Sequence, residues 1–236
     1  MALPKLMYPT FELTIPSTKQ KVRFRPFLVK EEKLLLMSKQ SGENSDIINI
    51  IKQLIINCDV ESSLDVSKLA SFDLEYLFIN LRARSINNLI ELNIKDADDG
   101  LDYDVKIDID EIKIIETSGH SKVIKLNENS GITMGYPSTE LLQKIVKEKN
   151  IGDILFTMIK GCMETYYDGD KIVNISEEPE KELNEFIESL PTNVLQQFEN
   201  FFDTMPRLYH KVQYTNSIGK VKDIELKTLD DFFMLG

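Results

Sequence analysis

The side chains that could bind a metal ion are few in this chain of 236 residues. A structural zinc site needs four cysteine or histidine ligands at paired, short spacings. The two cysteines and two histidines are each isolated in the sequence, at Cys58, His120, Cys162 and His210. We therefore expect no zinc site, and we expect both cysteines to be buried, reduced thiols of a cytoplasmic protein.

The acidic segment that begins at Asp96 has a composition that could suit calcium. The calcium-loop pattern requires glycine at its sixth position and glutamate at its twelfth. Counted from Asp96, these positions hold Leu101 and Ile107. The pattern is not met, so we interpret these carboxylates as the solvated face of a strand.

The sequence does not contain a complete set of groups for hydrolytic catalysis. The sequence contains neither a Gly-x-Ser-x-Gly elbow nor a glycine-rich phosphate-binding loop. Asp102 and Asp104 lie on one face of a predicted strand, and paired carboxylates can perform acid–base catalysis when one of them is buried. Alternation along an exposed strand explains them more simply. No catalytic residue and no cofactor are therefore assigned.

Composition and charge limit the class of protein. Hydrophobic residues make up 42% and charged residues 28%, as in a globular protein with a core. The net charge of -11 argues against a nucleic-acid binder, whose affinity depends on neutralising phosphates. No apolar run approaches the roughly 20 residues that span a bilayer, and the N-terminus lacks an apolar signal segment. We expect no stable membrane insertion.

Periodicity predicts an α+β fold. Alternation predicts an N-terminal hairpin over residues 11–15 and 21–26. A period of about 3.6 residues predicts three helices: one spans 29–40, one begins at Ser45, and one begins at residues 71–73. A small central antiparallel sheet is predicted from residues 89–94, 103–109, 112–115 and 123–126. Residues 127–131 are predicted to be a linker or a long turn. Helices are then expected at 139–149, 151–165, 178–190 and 192–205, before a closing hairpin at 208–214 and 221–226. The expected domains are an α+β domain, 1–126, and a mainly helical acidic domain, 127–236.

The remaining candidates are surfaces for other proteins. Residues 1–50 carry eight basic and five acidic side chains, although the whole chain is acidic. This contrast fits either a plain solvated surface or recognition of a partner through complementary patches. The C-terminus is apolar and includes Phe232 and Phe233, and chain ends are seldom fully buried. We expect a partner to hold this end.

Two stretches resemble one protein family. The first is Pro9–Pro16 (PTFELTIP) leading into Val22–Leu35 (VRFRPFLVKEEKLL), and the second is Phe72–Ser85 (FDLEYLFINLRARS). They resemble the baseplate hub subunit or hub assembly protein family of T4-like contractile-tailed bacteriophages, most strongly over residues 1–95. The resemblance implies a non-enzymatic protein that acts in baseplate hub assembly through protein–protein interactions.

The resemblance leads to a docking hypothesis for the hairpin, the first helix, the helix at 72–84 and the C-terminus. The expected partner-binding residues are Arg23, Arg25, Pro26, Phe27, Glu32, Tyr76, Arg82, Arg84, Phe232 and Phe233, with Asp73 in support. The alternative is that these residues serve only the local fold, through ion pairs.

The expected partners are other phage baseplate hub or tail proteins, with homo-oligomerisation left open and no nucleic acid. We expect the protein in the host cytoplasm during assembly, and its retention in the virion tail baseplate is left open. One other function is a transient tail assembly chaperone, for example for the tape measure protein. Another is a hub-associated cell-wall hydrolase, which would need a carboxylate with a raised pKa in a cleft.

Overall fold

The chain folds into two compact units, and the computed structural model describes residues 7–41, 44–148 and 150–227. Unit 1 comprises Met1–Ile115 and Arg207–Gly236, and unit 2 comprises Glu116–Pro206. These bounds differ from the predicted domains 1–126 and 127–236, because strands near the C-terminus pair with strands of the N-terminal part.

Unit 1 contains three helices and seven strands in its described residues. They are β1 (Phe11–Thr14), β2 (Lys21–Phe24), α1 (Val29–Ser41), α2 (Asn44–Cys58), α3 (Ser71–Ser85), β3 (Leu89–Lys95), β4 (Asp102–Asp108), β5 (Lys113–Ile115), β10 (Arg207–Thr215) and β11 (Val221–Leu226). The predicted N-terminal hairpin, first three helices and closing hairpin are confirmed.

The N-terminal hairpin follows the alternation of its sequence. β1 and β2 are antiparallel, with Phe11 opposite Phe24 and Leu13 opposite Val22. Leu13 and Val22 are buried and their neighbours in the strands are more exposed. Lys19 takes a φ of 61° in the turn, so the chain reverses there through a left-handed residue.

The core of unit 1 lies between the hairpin and the helices. α3 buries Leu74, Leu77, Phe78 and Leu81, which is the predicted apolar stripe. The buried side chains of α2 belong to the same hydrophobic cluster, as do those of β3 and β4. Burial of one large apolar side chain contributes about 1.5–3 kcal/mol. This core therefore provides a rigid base for the loops and helix ends around it.

The strands of the middle region belong to different sheets. β3 pairs with β4 alone, whereas β5 lies at one side of the sheet β11–β10–β5. Ile115 of β5 lies opposite Arg207 of β10. The predicted strands are present, but the last of them, near residue 124, belongs to a sheet of unit 2. The expected central sheet is thus divided among three sheets, because strand partners were available far along the chain.

Unit 2 has a four-stranded antiparallel sheet and four helices in its described residues. They are β6 (Val123–Lys125), β7 (Ser130–Met134), α4 (Thr139–Ile145), α5 (Ile151–Cys162), β8 (Met163–Asp168), β9 (Lys171–Asn174), α6 (Glu180–Ser189) and α7 (Thr192–Thr204). The four predicted helices are present. The segment predicted as a linker or a long turn joins β6 to β7, so it is a turn within unit 2.

Strands β7, β8 and β9 were not predicted in this mainly helical part. The predicted helix 151–165 ends at Cys162, and the chain continues directly as β8. Gly131 of β7 lies where a side chain would collide, since a Cβ atom there would stand 2.5 Å from the Tyr167 hydroxyl and 2.7 Å from the Ile124 carbonyl oxygen. Glycine is therefore required for the close packing of this sheet.

Candidate functional site

Arg25 and Glu31 form a buried ion pair where β2 leads into α1. Arg25 Nη2 lies 3.0 Å from Glu31 Oε1, and Arg25 Nη1 lies 3.2 Å from Glu31 Oε2. The Glu31 side chain is 0% exposed and that of Arg25 is 15% exposed. The guanidinium also donates to the carbonyl oxygens of Pro26 and Asn57, at 2.9 and 2.7 Å. Arg25 thus joins β2 to the start of α1 and the end of α2.

The surroundings of this pair keep both groups charged. Burial acts to raise the pKa of Glu31, but hydrogen bonds from Arg25 and the Leu28 N–H outweigh it, so the pKa lies below its usual value. Burial acts to lower the pKa of Arg25, and the hydrogen bond to Glu31 more than offsets this. Burial raises the pKa of the neighbouring Cys58 thiol to about 11, although Arg25 opposes the shift. The thiol is therefore protonated at neutral pH.

Phe27 is held by α3. Its backbone N–H donates to Ser85 Oγ over 2.8 Å, and its ring centroid lies 6.2 Å from that of the buried Phe78. Both Phe27 and Pro26 are half-buried. The segment between β2 and α1 is thereby fixed to the C-terminal end of α3.

Two arginines at the same end of unit 1 are exposed. Arg23 lies 3.9 Å from Glu61, which is close to the limit for an ion pair. The Arg84 guanidinium stands 5.0 Å from the centroid of the Phe11 ring. An exposed cation–π contact of this kind contributes about 0.5–1 kcal/mol. Both cations therefore remain largely available to solvent or to another protein.

Arg82, Glu32 and Tyr76 lie between the core and the surface. Burial lowers the pKa of Arg82, and the negative charge of Glu32 opposes the shift. Tyr76 is half-buried and packs against the core of unit 1. Asp73, on the same helix, is fully buried and accepts hydrogen bonds from the N–H and the hydroxyl of Ser17. Burial raises the pKa of Asp73, and these hydrogen bonds oppose the rise.

The structure places the predicted docking residues in two groups. Arg25 and Phe27 are engaged within the fold. Arg23 and Arg84 are exposed and Glu32 is half-buried, and we refer to these three residues as the N-terminal surface. Phe232 and Phe233 lie outside the described residues.

The cysteines and histidines considered for chemistry are involved in packing. Cys58 and Cys162 are buried free thiols, and burial raises the pKa of Cys162 to about 12. His120 Nδ1 lies 2.9 Å from Thr204 Oγ1, and its ring centroid lies 5.1 Å from that of Phe201. Across residues 7–41, 44–148 and 150–227, no three His, Cys, Asp or Glu side chains are grouped so that they could hold a metal ion.

The acidic turn between β3 and β4 is bound by hydroxyl groups of unit 1, which the sequence patterns did not indicate. Asp96 is 2% exposed and accepts a hydrogen bond of 2.6 Å from the Tyr214 hydroxyl. Asp99 accepts from the Tyr103 hydroxyl at 2.6 Å and from the Ser217 hydroxyl at 2.7 Å. The turn between β3 and β4 is thereby tied to the turn between β10 and β11.

These hydrogen bonds also set the charge of the turn. The bond from Tyr214 lowers the pKa of Asp96, and the bond from Tyr103 lowers the pKa of Asp99. The bond to Asp96 raises the pKa of Tyr214 to about 12. Lys222 and Lys220 lie 2.8 and 3.1 Å from Asp98. The carboxylates of this turn, which were predicted to face solvent, therefore accept hydrogen bonds or form ion pairs with other groups of the protein. Asp102 and Asp104, by contrast, are exposed on β4.

Together these features describe an α+β protein with a candidate docking surface. Among the helices of the described residues, none is both long and apolar enough to cross a membrane. A family model described as T4 bacteriophage base plate protein matches residues 8–234. The chain belongs to this family of phage baseplate proteins, which confirms the resemblance to baseplate proteins of T4-like phages. No curated protein and no solved structure matches the chain.

Proposed function

We propose that this baseplate protein is a non-enzymatic hub protein that acts in assembly of the baseplate hub. Membership of the family implies interaction with other phage baseplate proteins. The observation that carries the proposal is the N-terminal surface, where Arg23 and Arg84 are exposed beside a rigidly held backbone. Arginine and aromatic side chains on a rigid base are common anchors of protein interfaces.

Exposed apolar side chains on α1 support the same role. Val29 is 88% exposed, and Leu36 and Met37 are 58% and 57% exposed. Val29 and Leu36 are seven positions apart, so they lie on one side of the helix. In the described structure this side of α1 leaves apolar area in contact with water, next to the cations Lys30 and Lys33. A partner with an acidic and apolar surface would fit it.

Two other functions are compared with this proposal. The paired aspartates Asp102 and Asp104 lie on an open strand face, which favours a non-enzymatic role over a cell-wall hydrolase. Asp73 is a buried carboxylate with a raised pKa, but it accepts hydrogen bonds from Ser17 of the hairpin turn. A transient assembly chaperone would use the same N-terminal surface, and it differs in leaving before the virion is complete.

Quantitative mass spectrometry of purified, intact tails tests the proposal. We expect the chain at a fixed copy number per baseplate, as befits a component of the hub. Absence from finished tails, with presence in assembly intermediates from the host cytoplasm, would instead identify a transient chaperone.

The docking surface is tested by the double substitution Arg23→Ala with Arg84→Ala. In phage whose own copy of the gene is disrupted, we expect this variant to enter hub intermediates about thirtyfold less well, since two arginine anchors of about 1 kcal/mol each together contribute about 2 kcal/mol. The matched control is Lys68→Ala with Lys106→Ala, which removes two other exposed cations of unit 1. Equal incorporation of both variants would contradict the assignment of this surface.

A further inference from the structure

A groove in unit 2 lies between the edge of its sheet and α6. It encloses about 350 Å³. Its apolar lining comes from β8, β9, α6 and the turn between them, and consists of Tyr166, Val173, Ile175, Leu183 and Phe186. The Tyr166 and Phe186 rings meet edge to face, with centroids 5.4 Å apart. This volume falls within the range of about 300–1,000 Å³ that is typical of binding pockets.

The strand beside this groove has an open edge. The sheet order is β6–β7–β8–β9, so β9 pairs with β8 on one side and has no strand on the other in the described chain. Ile172 of β9 is 72% exposed. An open edge presents unpaired backbone N–H and C=O groups, to which an extended segment of another protein can add as a further strand.

Two carboxylates lie at the rim of the groove. Glu178 and Glu182 line the groove and are exposed, and neither forms an ion pair with another described residue. Two carboxylates of α6 are paired, since Glu180 lies 2.6 Å from Lys160 and Glu185 lies 3.7 Å from Lys181. An apolar groove with an uncompensated negative rim is complementary to a segment that is both apolar and cationic.

We propose that this groove binds an extended segment of another protein, which adds to β9 and carries an apolar residue and a lysine or arginine two positions apart. Residues two positions apart lie on the same face of a strand. The apolar side chain then enters the groove beside Val173 and packs against the Tyr166 and Phe186 rings, and the cation reaches Glu178 or Glu182. The site shares no residue with the N-terminal surface, so it is independent of the proposed function.

The test is a titration of the isotope-labelled full chain, followed by nuclear magnetic resonance. The probe is the capped peptide Thr-Val-Thr-Lys-Thr-Val-Thr, which places valine and lysine on one face. We expect amide shifts concentrated in residues 171–186. The comparison peptide Thr-Val-Lys-Thr-Thr-Val-Thr has the same composition and keeps both valines on one face, but it places the lysine on the opposite face. It should bind more weakly, as should a probe with glutamate in place of lysine.

The carboxylates are tested by Glu178→Gln with Glu182→Gln. We expect affinity for the probe to fall roughly threefold to tenfold at low salt, which is typical for the loss of exposed charge pairs. The matched control is Glu185→Gln with Glu188→Gln, which makes the same charge change on α6 outside the groove. It should keep most of the affinity.

Several results would overturn the proposal. One is the absence of amide shifts at millimolar peptide, and another is shifts centred outside residues 171–186. Equal affinity for the glutamate peptide or the rearranged peptide would also contradict it, as would an equal loss of affinity in both pairs of glutamate variants. Circular dichroism of each variant checks that the fold is retained.

Discussion

Arg23 on β2 and Arg25 directly after β2 are two positions apart and have the same chemistry, but they differ in what surrounds them. Arg25 neutralises the fully buried Glu31 and donates to backbone carbonyl oxygens. Among the described residues, the ion-pair partner of the Arg23 side chain is Glu61, at 3.9 Å. A buried charge that loses its partner is costly, whereas an exposed pair contributes little. The two arginines are therefore expected to serve different purposes, folding and recognition.

Arg25→Ala should lower the free energy of unfolding by about 3 kcal/mol, because it leaves Glu31 charged, buried and without its main donor. Arg23→Ala should change this free energy by no more than about 0.5 kcal/mol. Urea unfolding followed by circular dichroism measures both. Similar values for the two variants would mean that the ion pair with Glu31 does not stabilise unit 1.

At the scale of elements, two hairpins of unit 1 are joined through their turns. The carboxylates of Asp96 and Asp99 accept hydrogen bonds from groups near the β10–β11 turn. Both carboxyl pKa values are lowered in the folded protein. A lowered carboxyl pKa gives stability that is present above the unfolded value, which is about 3.9, and is lost as pH falls through the folded value.

Tyr214→Phe should destabilise the protein most near neutral pH, because it removes the hydroxyl that donates to ionised Asp96. The difference from the natural protein should begin to shrink as pH falls below about 4, the unfolded pKa, and should be lost below the lower folded pKa, where the carboxyl is protonated in both states. Thermal unfolding between acidic and neutral pH measures this. Tyr209→Phe is the matched control, since that hydroxyl makes a longer bond of 3.3 Å to the exposed Glu225. A loss that does not depend on pH would contradict the role of Asp96.

The elements that could be predicted from the sequence are those whose pattern is complete within a few turns or strands. α3 and α6 each show a full apolar stripe, and the hairpin of β1 and β2 shows clear alternation. β8 was missed because Met163–Asp168 follows α5 without a break and lacks alternation in its burial. Its position depends on pairing with β7, which local patterns do not report.

The candidate site was only partly predictable for a similar reason. The sequence indicates that Arg23, Arg25 and Arg84 are cations near aromatic residues, but it does not indicate which of them is buried. That depends on Glu31, six positions from Arg25, and on the backbone of Asn57, from another helix. The link between Asp96 and Tyr214 spans 118 positions, and no local rule relates them.

At the scale of the whole molecule, unit 2 is inserted into unit 1. The chain leaves unit 1 after β5 and returns at β10. Ile115 and Arg207 are directly opposite one another in antiparallel strands. The two ends of the chain that remain when unit 2 is removed are therefore as close as the ends of a tight hairpin.

Replacement of residues 116–206 by Asn-Gly should leave a folded unit 1, because this dipeptide favours the turn that joins two such strands. We expect a cooperative thermal transition and dispersed amide resonances. The control is residues 1–115 alone, which lack the buried Leu208, Val212 and Leu226 and should not fold cooperatively. A joined variant that unfolds without cooperativity would show that unit 1 depends on unit 2.

The insertion also sets an order of events during synthesis on the ribosome. Residues 1–115 emerge first, but β10 and β11 emerge only after all of unit 2. Unit 2 is continuous in sequence, so it can fold while unit 1 still lacks its last strands. A prematurely terminated product would contain Arg23 and Arg84 without the strands that complete the core beneath them. Only a fully translated chain can complete unit 1, to which the residues of the N-terminal surface belong.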